Sequence, residues 1–132
     1  MFRAFKLCLI LLLLTNCAAD NYTWHTLDVT ATAYNSYAYQ TNSNPFITAF
    51  GDSLIPGKKY IAVSRDLLSL GLKHNTPVKI EGFEGVYLVK DKMHRRWKKR
   101  IDIYMGDDIK KAKEWGRRKV TIAYGIPKSD IE

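Results

Sequence analysis

Residues 86–107, VYLVKDKMHRRWKKRIDIYMGD, limit what this chain can fold into more than any other stretch. Val86 with Leu88, and Ile101 with Ile103, recur at period two and predict two β-strands. Between them runs a loop with Lys92, His94, Arg95, Arg96, Trp97, Lys98, Lys99 and Arg100. Each strand carries one carboxylate beside that loop, Asp91 where the first ends and Asp102 inside the second. A carboxylate flanked by apolar β-formers and facing a cationic, aromatic loop is placed either for chemistry or for bracing. The plainest alternative is an edge hairpin whose aspartates pair with its own arginines, because structural ion pairs also position carboxylates.

With 132 residues the chain has room for one domain and one core. Arg3 and Lys6 precede an apolar run over 7–14 that is too short to cross a bilayer. Small residues follow (Cys17, Ala18, Ala19), and together these features predict a secretory signal peptide over 1–19. Two processing routes fit. Leu14-Thr15-Asn16-Cys17 is similar to a bacterial lipobox, with Asn16 where that pattern has Gly, Ala or Ser, and makes Cys17 the lipidation candidate. Cleavage after Ala19 instead gives a soluble chain starting at Asp20. Either route places the domain outside the cytoplasm, in the periplasm or at the outer membrane as a lipoprotein, and otherwise secreted. A membrane is then a partner only through the lipid anchor.

Cys8 and Cys17 are the two cysteines and both belong to the leader, so the domain must be held by a packed core. Losing Arg3 and Lys6 with the leader lowers the formal charge from +8 to +6. That balance favours anionic partners, among which cell-wall polymer is the nearest after export. Nucleic acid is not expected there, and a monomer is.

After the leader, 20–26 reads as a linker, with His25 a solvated residue of it, 27–126 as the domain, and 127–132 as a tail. Strands are expected at 27–34, 60–64, 78–80, in the two stretches already described, and at 119–124. A polar loop over 35–45 follows the first strand, and Tyr34, Tyr37 and Tyr39 at its start are candidates to stack on a sugar ring. A single helical turn after Arg65 should stop at Gly71, and a short helix over 107–115 should point Ile109, Ala112 and Trp115 inward and close at Gly116. Six short strands with closely spaced turn signals favour a small closed barrel over an open sheet.

No metal-binding His or Cys spacing and no Gly-rich phosphate loop is present, so no metal or cofactor is expected. What remains is carboxylate chemistry, with Asp52, Asp66, Asp91 and Asp102 near apolar strands. Carboxylates set against sugar-stacking aromatics suit glycosidic-bond cleavage, in which a general acid of raised pKa protonates the leaving oxygen.

In order along the chain stand VTATAY, TAFG, IAVSRDLLSLG, VKIEGFEG, VKD…RIDIYMGD and EWGRRKVTI. Their order and spacing, including the eleven-residue step from Asp91 to Asp102, resemble the three-aspartate domain. That domain is the double-psi β-barrel of membrane-bound lytic transglycosylase A and of secreted wall-binding proteins. The resemblance runs over 29–123 and implies an all-β, six-stranded double-psi barrel with one short helix. It implies action on peptidoglycan glycan strands by a lytic transglycosylase, which forms a 1,6-anhydro product without a cofactor. The alternative it carries is a non-catalytic wall-binding or wall-loosening module. Asp102 matches the aspartate that acts as acid and then base, Asp91 its supporting partner, and Asp66 stands two residues past the family's first aspartate, which here is Ser64. The family's Thr-Gly-Gly-Ala loop is replaced by KMHRRWKK. With Tyr34 and Tyr37, its Arg95, Arg96 and Trp97 are the substrate-binding candidates.

Overall fold

The structure, a computed structural model, describes residues 21–35 and 47–130. Six strands form it: β1 (Tyr22–Tyr34), β2 (Tyr60–Val63), β3 (Pro77–Ile80), β4 (Tyr87–Lys92), β5 (Arg100–Tyr104) and β6 (Arg118–Pro127). They close into a barrel in the order β1-β5-β2-β4-β3-β6. Two pairs are parallel, β1 with β5 and β2 with β4, and the remaining four are antiparallel. This closed mixed barrel is the expected fold class. It also changes the expectation for the central stretch. β4 and β5 do not form a hairpin: each pairs with β2, which lies between them, and no edge is left open.

Inside, the barrel is filled by alternating side chains rather than by solvent. Val29 and Ala31 of β1, Ile61 and Val63 of β2, Val89 of β4, Ile101 and Ile103 of β5, and Ile122 of β6 make one apolar cluster. Leu67 closes it from a 3-10 helix, Arg65–Leu70, which ends where Gly71 takes φ 110°, a left-handed conformation that a side chain would strain. Burying each Ile or Leu of this kind stabilises the fold by roughly 1.5–3 kcal/mol.

The phase of β4 differs by one residue from the sequence expectation. Tyr87 and Val89 face the core while Val86 is 43% exposed; the four residues 86–89 are all apolar, so either phase reads as a strand. β1 also begins at Tyr22, so most of the expected linker is strand, with Thr26 opposite Ala123 and Tyr22 opposite Pro127. His25 accordingly stacks on Tyr124, ring centroids 5.6 Å apart. The expected tail supplies Pro127 to β6 and a 3-10 turn, Lys128–Asp130.

The helix, α1 (Ile109–Trp115), starts at Asp108, whose carboxylate accepts the Lys111 N–H at 2.9 Å. Ala112 is buried and Trp115 packs on Phe83, but Ile109 is largely exposed. Among the described residues no helix is long and apolar enough to cross a membrane. The leader, Cys17, Tyr37 and Tyr39 lie outside the described residues.

Candidate functional site

Strand register assembles a row of four neighbours on the outer face of the barrel. Thr32 of β1 pairs with Asp102 of β5, Asp102 with Ala62 of β2, and Ala62 with Asp91 of β4. Asp91 reaches this row through a register shift: Ile61 pairs with Val89 but Ala62 pairs with Asp91, leaving Lys90 as an extra residue. Without the bulge, Asp91 would follow Tyr87 and Val89 as a third core position. The extra residue re-aims it toward the face of Asp102. Ala62, small and buried, keeps the carboxylates one strand apart.

Asp102 is half-buried, and its Oδ1 accepts the Thr32 hydroxyl at 3.1 Å. Burial is the main influence and pushes its pKa up to about 6; the charge of Asp91 adds to this, while the Thr32 hydroxyl and Arg100 pull the other way. At pH 6 about half of such carboxyls hold a proton, as a general acid requires.

Asp91 is 4% exposed and differently held. Its Oδ1 accepts two backbone N–H groups, from Ala49 at 2.9 Å and from Lys92 at 2.8 Å. The first bond ties the turn between Ile47 and Ser53 to the end of β4. That turn is also held by Asp52, which bonds His74 and lies 3.6 Å from Lys90 Nζ, while His74 stacks on Phe50.

Asp66 is not part of the row. It sits in the 3-10 helix, and its Oδ2 accepts the Lys99 N–H at 2.9 Å, where Lys99 has φ 49°. Burial works to raise its pKa, but the Ser64 hydroxyl, the Lys99 amide, its own amide and the Lys98 charge outweigh this and lower it. Ser64 is fully buried, and its Oγ accepts the Arg100 N–H at 2.9 Å. The two residues thus clamp the end of the basic loop.

In that loop Arg95 and Arg96 are exposed, whereas Trp97 is half-buried with the guanidinium of Arg96 4.7 Å and that of Arg100 3.9 Å from its ring centroid. Its own arginines occupy the ring, so Trp97 meets a sugar only if they move. Tyr34 is 7% exposed, tilted against Tyr104 in a second apolar cluster with Leu54 and Ala62. It belongs to the packed floor beside the row and is not an exposed platform, as the loop position had led us to expect. Among the described residues no group of three or more His, Cys, Asp or Glu could hold a metal ion.

The sequence marked Asp52 among the carboxylates but did not single out Thr32, Ala49, His74 or Lys90 as site residues. Thr32 lies within VTATAY, but its contact with Asp102 spans 70 residues and depends on the parallel pairing of β1 and β5.

No protein-family model matches the chain, and no curated protein matches it. Among solved structures it is similar to the apo form of Clavibacter michiganensis expansin, at 18% identity over 79% of this chain and 52% of that one, with a TM-score of 0.47. A point mutant of that expansin in complex with cellohexaose gives 17% identity over 77% and 50% of the two chains, again with a TM-score of 0.47. The chain therefore spans about half the length of the expansin it matches.

Proposed function

We propose that this barrel cleaves peptidoglycan glycan strands as a lytic transglycosylase, with Asp102 carrying both proton transfers. The observation that carries this reading is the Asp102 carboxyl itself: half-buried, oriented by Thr32 on the outer face of the barrel, and raised to about 6. Protonated, it gives its proton to the glycosidic oxygen as the bond to the sugar's anomeric carbon breaks. The resulting carboxylate then takes the proton from the C6 hydroxyl of that sugar, whose oxygen closes the anhydro ring. The acid is regenerated, no water is consumed, and no cofactor is required. This path differs from hydrolysis by a carboxylate pair, in which water enters.

Asp91 supports the site by holding the turn that carries Ala49 and by keeping the Asp102 proton in place through its charge. Arg95 and Arg96 attract anionic wall polymer, Trp97 offers its ring to a sugar once its arginines move, and Tyr34 packs the floor beside the row. Cys17 anchors the exported protein at the outer membrane, or the mature chain is released into the periplasm or medium; it works as a monomer.

A second reading is a wall-binding or wall-loosening module without turnover. The commitment of both Asp91 and Asp66 to backbone N–H groups favours it, since bracing crossing loops is a sufficient role for those carboxylates. Mass spectrometry of purified wall incubated with the mature domain separates the readings. Anhydro-ended fragments are expected. Reducing-end fragments would make the domain a hydrolase, and retention on wall without fragments would make it a binder.

A further inference from the structure

A strip of positive charge crosses three strands beside the Asp102 row. Register sets Lys119 of β6 opposite Thr30 of β1, and Thr30 opposite Arg100 of β5. Lys98 and Lys99 enter β5 from the basic loop, and with Lys119, Thr30, Val29 and Asp28 they line a cleft of about 240 Å³. Among the described residues the ion pairs join His74 and Lys90 to Asp52 and Lys110 to Glu114, and none reaches this cleft. The carboxylates at hand are engaged: Asp28 accepts the Thr121 hydroxyl at 2.7 Å, and Asp66 accepts the Lys99 amide. Beside the cleft, the pKa of Arg100 is lowered by burial first and then by the charges of Arg117 and Arg96, with Asp102 opposing.

Three ammonium groups against the one lining carboxylate of Asp28 leave the cleft net positive, and like charges gathered in this way destabilise a compact state. An anion seated among them offsets that cost, and ammonium groups with a hydroxyl donor and a nearby guanidinium suit a phosphate. Arg100 and Asp102 are two residues apart on β5 and so share a face, roughly 7 Å apart along the strand. We propose that the cleft between Lys98, Lys99 and Lys119 is a phosphate-binding site, which seats a phosphorylated saccharide chain so that its neighbouring glycosidic bond lies beside Asp102. The phosphate chemistry stands on the cleft alone; its use in placing a glycan rests on the proposed function.

The test is an NMR titration of the exported domain with glucose 6-phosphate, with glucose as the neutral control. Amide shifts at Thr30, Lys98, Lys99 and Lys119 should move with the phosphate ester and not with glucose. A Lys98→Gln, Lys99→Asn, Lys119→Gln variant should weaken binding at least tenfold, Asn being chosen because it tolerates the positive φ at Lys99. A Lys58→Gln, Lys73→Gln, Lys113→Gln variant removes the same charge from exposed positions elsewhere and should bind like wild type. Occupancy should also raise the Asp102 pKa, because the anion offsets the pull of Arg100. Shifts spread evenly over lysines all round the barrel, or equal weakening in both triple variants, would overturn the site. Binding to phosphatidylglycerol vesicles but not to the soluble ester would overturn it in favour of a lipid surface. Asp102→Asn should bind the ester at least as well as wild type, so a protein that binds it and never cleaves wall keeps the site and loses only the proposed reaction.

Discussion

Asp91 and Asp102 bear the same functional group, lie in the same register row and are separated by Ala62, yet the barrel treats them differently. At the end of β4, Asp91 accepts two backbone N–H groups and anchors a turn. In the middle of β5, Asp102 accepts the Thr32 hydroxyl, and burial leaves it with a pKa of about 6. What separates the two carboxyls is how many donors the backbone supplies to the charged form, because each donated bond favours ionisation and desolvation opposes it.

The sharpest way to break this comparison is to remove the proton and keep the shape. Asp102→Asn should fold, bind wall and lose anhydro-product formation by about 10²–10⁴-fold, the usual worth of general acid–base catalysis. Asp91→Asn keeps an oxygen for both N–H groups and should cost much less activity. Equal losses in product release for the two variants would mean that the carboxylates act as a unit, and an active Asp102→Asn would take Asp102 out of the mechanism.

Stability should reverse the ranking. Asp91→Ala leaves the Ala49 and Lys92 N–H groups without their acceptor in a partly buried place, at about 1–3 kcal/mol for each group that water does not reach. Asp102→Ala orphans only a hydroxyl that is free to rotate to the Ile101 carbonyl, 3.4 Å away. Urea unfolding should therefore show Asp91→Ala as the less stable of the two by about 2 kcal/mol or more. The opposite order would reassign the brace to Asp102.

These roles were only partly legible in the sequence. The spacing of Asp91 and Asp102 within apolar β-formers marked both carboxylates, because strand patterning is local. Their shared row was not legible: it depends on Lys90 as an extra residue and on β2 standing between β4 and β5, both set by non-local pairing. Tyr34 was marked as a platform from its loop-edge position, whereas its burial depends on Tyr104 and Leu54, which lie 70 and 20 residues further on. The six strands were legible as elements, but the phase of β4 was not, since the run Val86-Tyr87-Leu88-Val89 puts apolar residues on both faces.

The comparison also has a pH form. The folded pKa of Asp102 is raised from 3.8 to about 6, so the native state holds the proton more tightly than the unfolded chain. Its contribution is fully present below about pH 3.8 and is lost as pH rises through about 6. The integrated effect is on the order of 2–3 kcal/mol as an upper bound, and less where water reaches the half-buried group. The difference in unfolding free energy between wild type and Asp102→Asn should therefore shift in favour of the variant between pH 4 and pH 7. A difference that stays flat across that window would show that Asp102 titrates as an ordinary carboxylate.

The smallest expected effect tests the single bond that opposes burial at Asp102. Thr32→Val preserves the β-branched shape and removes the hydroxyl that donates to Oδ1. Losing a donor to the carboxylate leaves desolvation less opposed, so the Asp102 pKa should rise further, by up to about one pH unit for a hydrogen bond of about 1 kcal/mol. The alkaline limb of the pH–rate profile, where Asp102 loses its proton, should move upward by the same amount, and product formation well below that pKa should change little. Thr32 also contacts the Ile101 carbonyl, but that group lies in the strand and does not titrate. A structural loss alone would lower activity at every pH without moving the profile. An Asp102 pKa that falls in Thr32→Val would mean that the hydroxyl accepts from a protonated Asp102, placing the resting proton on the carboxyl and inverting the assignment of donor and acceptor.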